Sequence, residues 1–68
     1  MKNVLNVIKK ILPDADYETS KDNCGNWDSA THLQIIMEIE ETYNIEIPIE
    51  AMSKLTSVRA IKDYIDAI

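Results

Sequence analysis

Apolar residues return every three or four positions in three separate stretches of this chain, and that spacing constrains the fold more than any other feature. In the first stretch, Lys2 to Leu12, they are Val4, Leu5, Ile8, Ile11 and Leu12. Such steps place side chains on one face of a helix. Pro13 biases Leu12 away from helical geometry, so this helix is expected to stop there. The second helix is expected from Asp28 or Ser29 to Tyr43, with Ile35, Ile36, Ile39 and Tyr43 on its core face. Thr56 or Ser57 caps the last helix, which carries Val58, Ile61, Ile65 and Ile68, with Ala60, Tyr64 and Ala67 beside them.

The segments between these helices differ in kind. From Pro13 to Trp27 the periodicity vanishes, and the sequence PDADYETSKDNCGNW is polar. A long connection of this type in a compact domain is often functional. Ala15, Tyr17 and Trp27 are its expected anchors to the core, with Trp27 stapling the entry to the second helix. After the second helix, Asn44 is a C-cap candidate. Ile45–Glu46–Ile47–Pro48–Ile49 alternates like a strand but has no partner strand, so it is expected as an extended link burying Ile45 and Ile47. A short helical turn should follow, from Ile49 or Glu50 to Lys54. The expected architecture is all-α: a four-helix bundle with three longer helices and one short helix, and a long loop between the first two. Residues 1–68 are expected to form a single domain, and a monomer.

Only an apolar core is available to hold such a bundle. The chain has 68 residues and one cysteine, so no internal disulfide is possible, and no His/Cys cluster has zinc spacing. The net charge of −5 argues against nucleic acid and anionic membrane surfaces, and suits basic protein partners. No apolar run approaches a membrane span, and MKNVLNVIKKIL lacks a signal-peptide cleavage pattern, so a cytoplasmic location is expected. Cys24 has no neighbouring cation to activate it and is expected to be an ordinary loop residue.

The second helix carries a feature the core does not require. Ala30, Leu33 and Met37 form another apolar stripe, flanked by Gln34, Glu38, Glu40 and Glu41. It is read as a partner-binding surface, with a second core contact as the alternative. At the start of the same helix stands Trp27–Asp28–Ser29–Ala30. Asp28 is a good N-cap, and Ser29 falls in the first turn. First-turn amides lack internal partners and carry partial positive charge, so a phosphate on Ser29 would be stabilised there. Asp28 opposes that charge unless it binds Mg²⁺ while the group is attached. The plain alternative is a helix-start serine with no further role.

The block WDSATHLQIIMEIEETYNIEIP resembles the acyl carrier protein family around its modification site. The matching positions are Asp28–Ser29, Glu40–Glu41, Tyr43 and Ile45–Glu46–Ile47–Pro48, without a gap. The final helix fits too, through Leu55–Thr56–Ser57–Val58 and Ile61–Lys62–Asp63–Tyr64–Ile65. The resemblance implies a non-catalytic carrier with a covalent 4′-phosphopantetheine arm on Ser29, and Asp28 as its neighbour in modification. It implies a phosphopantetheinyl transferase as partner, and acyl-activating and acyl-transferring enzymes with basic docking patches. Ala30, Leu33, Gln34, Met37, Glu40 and Glu41 are the expected docking positions. The cargo would be acyl groups held as thioesters in a fatty-acid-like or specialised pathway, such as polyketide synthesis. Ala30 stands where the family usually has leucine, and Thr31 and Gln34 stand where acids are common.

Three rivals remain. Asp28, Ser29 and His32 have the composition of a nucleophile with its base and orienter, though so short a chain leaves little room for a cleft. A peptidyl or aminoacyl carrier would more often have glycine before the serine. An acidic helical interaction module would use the Leu33–Met37 stripe without any arm.

Overall fold

The computed structural model describes residues 3–68. Four helices follow in order among them: α1 (Val4–Lys9), α2 (Ser29–Tyr43), α3 (Ile49–Met52) and α4 (Val58–Asp66). This is the expected all-α plan of three longer helices and one short one.

Local chemistry sets most of the boundaries. Asn3, Asp28 and Ser57 cap α1, α2 and α4, each accepting from the backbone N–H three residues on. Asn44 ends α2 in the left-handed region at φ 53° and ψ 52°, which asparagine tolerates. The N–H groups of Asn44 and Ile45 both donate to the Glu40 carbonyl there. α1 is shorter than its periodicity suggests, and the expected start at Lys2 lies outside the described residues. Its end tightens because Leu12 precedes proline: the Lys10 and Ile11 N–H groups bond three residues back, to Val7 and Ile8. Leu12 is nevertheless buried.

α1 packs against both α2 and α4. Val4, Val7 and Ile8 meet Ile35, Ile36 and Ile39 of α2 and Val58, Ile61 and Ile65 of α4. The connections close the core with Leu12, Ala15, Trp27, Ile47 and Leu55. At the end of α2, Tyr43 lies beside Asn3 and Asp66, so α1 runs antiparallel to α2 while α4 runs parallel to it. Burial raises the Tyr43 phenol above its ordinary value.

Two expected core residues are not in the core. Tyr17 is 39% exposed, because Ala15 and Trp27 anchor the long connection without it. Ile68 is exposed because α4 ends at Asp66, and the helical step no longer holds it on the core face. In the link, Ile47 is buried as expected and Ile45 is half-buried against the core. No described helix is long and apolar enough to cross a membrane.

Candidate functional site

The long connection delivers the start of α2 to a fixed place. Its polar residues bond to one another: Asp16 Oδ1 accepts from the Glu18 N–H, Asn23 Oδ1 from the Ser20 N–H, and Asn23 Nδ2 donates to the Glu18 carbonyl. The segment then docks on the start of α4 through one antiparallel bridge between Ser20 and Ser57. The Lys21 N–H donates to the Thr56 carbonyl at 2.8 Å and the Val58 N–H to the Thr19 carbonyl at 3.0 Å. Glu18 and Arg59 pair outside this bridge at 2.6 Å. Past Cys24, which is half-buried, the chain dips into the core at Trp27 and emerges at Asp28.

Ser29 is the first residue of α2 and is exposed. No hydrogen bond engages its hydroxyl among the described residues, which leaves it open to an enzyme and to a covalent group. Asp28 Oδ1 accepts from the Thr31 N–H at 2.9 Å. That backbone bond is the main reason the Asp28 carboxyl sits below its ordinary value. Part of the helix-start charge is therefore already met by Asp28, and a phosphate on Ser29 would lie beside this carboxylate. Among the described residues, no cluster of three or more His, Cys, Asp or Glu side chains is placed to hold a metal ion.

His32 settles the hydrolytic rival. The Trp27 Nε1–H donates to His32 Nδ1 at 3.0 Å, and the two rings stack with centroids 6.2 Å apart. His32 Nε2 lies 2.9 Å from the Met52 carbonyl. An indole N–H only donates and a carbonyl only accepts. The ring is therefore the neutral tautomer with its proton on Nε2. Both nitrogens are committed, so His32 is not poised as a base for Ser29.

Helical phase sorts the remaining candidates around α2. Ser29, Leu33, Ile36 and Glu40 step along the shoulder that faces the 45–55 segment. Ala30, Met37 and Glu41 point outward. Leu33 is 49% exposed and Met37 55%, so the second apolar stripe is surface, not core. Gln34 falls about 140° round the helix from Ser29. It lines a groove of 510 Å³ on the α1 side with Ile11, Asp28 and Thr31. Glu40 behaves unlike its neighbour Glu41: its Oε2 accepts from the Ile47 N–H at 2.8 Å.

Two connecting roles were missed in the residue patterns. The Trp27–His32 half of the His32 bridge has a sequence signal, an aromatic just before the N-cap and a ring four residues after it, which is the staple spacing, while its reach to Met52 has none. The Glu40–Ile47 bond has none beyond proximity across the Asn44 turn.

The family model described as a phosphopantetheine attachment site matches residues 3–65. An acyl carrier protein of Thermosynechococcus vestitus is 33% identical over 58 residues, covering 85% of this chain and 67% of that protein. The match spans α1 to α3, the capped start of α2 included, and α4 up to Ile65. With that start held in place and its histidine withdrawn from any catalytic role, the chain belongs to the acyl carrier protein family: non-catalytic carriers of a covalent 4′-phosphopantetheine arm.

Proposed function

We propose that Ser29 is the attachment point of the arm, and that the loaded chain carries acyl groups as thioesters between enzymes of a cytoplasmic biosynthetic pathway. One observation carries this reading above the others: Ser29 is an exposed serine opening a long helix directly after its capping aspartate, inside the matched region. A phosphopantetheinyl transferase would bring the group from coenzyme A. Asp28 stands beside the hydroxyl and is able to share a Mg²⁺ ion with the incoming pyrophosphate. Once bound, the arm supplies a terminal thiol for thioester formation. The chain's own part is to present the hydroxyl, hold the helix start rigid and offer a docking face. Asp28 before the serine supports acyl rather than aminoacyl cargo.

The docking face in this reading is Ala30, Leu33, Met37 and Glu41, with acidic Glu46 near the end of the helix. Glu40 contributes charge, but its carboxylate also holds the link. Exposed apolar side chains ringed by carboxylates suit enzymes with basic rims around an apolar patch. Glu41→Lys should weaken binding to such an enzyme, more at low salt than at high salt. An affinity unchanged at low ionic strength would remove Glu41 from the interface. The attachment itself is tested on protein isolated from its native cell, by intact mass followed by peptide mapping. A phosphopantetheinyl group on the peptide containing Ser29 supports the reading, and any acyl increment on it names the cargo class. An arm on another residue refutes it.

A further inference from the structure

α3 is the least anchored element of the fold. It contains no buried residue, and Ile49 at its start is 80% exposed. Two side chains of α2 grip it from either end. Glu40 accepts from the Ile47 N–H just before α3, and His32 reaches the Met52 carbonyl at its close. Both come from the side of α2 that faces this segment, the side on which Ser29 opens the helix.

We propose that His32 is a positioning residue: its neutral ring, oriented by Trp27, latches the end of α3 to α2 and, with Glu40, fixes the 47–52 segment beside Ser29. The importance of that edge rests on Ser29 as the attachment point, but the latch is a property of the unmodified chain. The geometry makes it sensitive to protons. A proton added to Nδ1 turns the acceptor into a donor and sets two N–H groups against each other. The Trp27 bond that orients the ring is then lost, and the grip on Met52 loosens. The ring's two bonds go to uncharged groups. The charged groups on the elements packed around it are Asp28, engaged by the Thr31 amide, and Glu50 and Lys54 on either side of Met52. An imidazole changes charge between about pH 5 and 8, and this chain has a single histidine.

One tryptophan and one histidine also make the test clean. Amide hydrogen exchange is measured on the unmodified chain at pH 7.5 and 5.5, corrected for intrinsic rates, while the Trp27 indole N–H is followed by NMR. The latch predicts that Met52, Ser53, Lys54 and Leu55 amides lose about tenfold in protection at the lower pH. The indole resonance should shift with the same midpoint, while amides of Ile36 and Ile61 hold. His32→Gln retains a donor for the Met52 carbonyl, so it should keep protection at pH 7.5 and show no change with pH. His32→Ala should lose protection in this segment at both. Loss spread evenly over the molecule, a pH response that persists in His32→Gln, or no response at all would each overturn the proposal. Should His32→Ala fail to fold, the titration of the unsubstituted chain still decides. None of these readouts depends on whether Ser29 accepts an arm.

Discussion

The two connections that flank α2 are held in opposite ways. The first, between α1 and α2, is polar and looks loose in sequence, yet Asp16, Thr19 and Asn23 stitch it to itself and one bridge ties it to α4. The second, between α2 and α4, is rich in isoleucine and looks like core. It buries only Ile47 and Leu55, and two polar side chains of α2 secure the short helix between them. Order in the first connection is largely its own, whereas order in the second is borrowed from α2. Substitutions on α2 should therefore travel into the second connection and leave the first untouched.

The strongest challenge to this contrast is Trp27→Ala. It removes the buried anchor of the first connection and the partner of His32 together. A loss of about 3–5 kcal/mol in denaturant unfolding is expected, as for other large-to-small aromatic changes in cores. A loss under about 1 kcal/mol would mean that the self-stitched connection does not need its anchor. Glu40→Ala comes next, because it leaves the Ile47 N–H without its carboxylate. About 1–3 kcal/mol should be lost, with NMR shifts confined to α2 and the 45–53 segment. Shifts reaching residues 16–23 would break the contrast.

Ser57→Ala removes the cap of α4 where the first connection docks, and should lower stability by about 1 kcal/mol. Glu18→Ala cuts only an exposed ion pair and should move the melting temperature least of these, and less still in high salt. Asp28 adds a pH arm to the same series. Its folded carboxyl lies below the ordinary value, so its contribution is complete above that value and fades as pH falls through the folded one. Asp28→Asn keeps a cap oxygen and should flatten that part of the acid-unfolding curve. An unchanged curve would show that the carboxylate adds nothing as an anion.

What was legible in the sequence was what neighbouring residues decide. The caps at Asp28 and Ser57, the turn at Asn44 and the apolar faces of α2 and α4 depend on spacings of three or four, and apart from Ile68 beyond the end of α4 they stand as expected. The outward stripe of Leu33 and Met37 was visible for the same reason. The pairings across the chain were not legible. Ser20 meets Ser57 and His32 meets Met52 only after the helices have packed, and no local pattern marks those contacts. Tyr17 shows the other side of this: an aromatic in a polar loop suggests an anchor, but Ala15 and Trp27 are buried and Tyr17 stays 39% exposed. Ser29 itself was conspicuous through its block of neighbours rather than through its own setting, since serine at a helix start is common.

That serine remains the centre of the account, and intact mass tests it most directly. The purified chain and Ser29→Ala are each incubated with a broad-specificity phosphopantetheinyl transferase, coenzyme A and Mg²⁺. The unsubstituted chain should gain the mass of one phosphopantetheinyl group, and Ser29→Ala should gain none. Modification that persists in Ser29→Ala, or an unsubstituted chain that stays unmodified with several such transferases, would contradict the assignment.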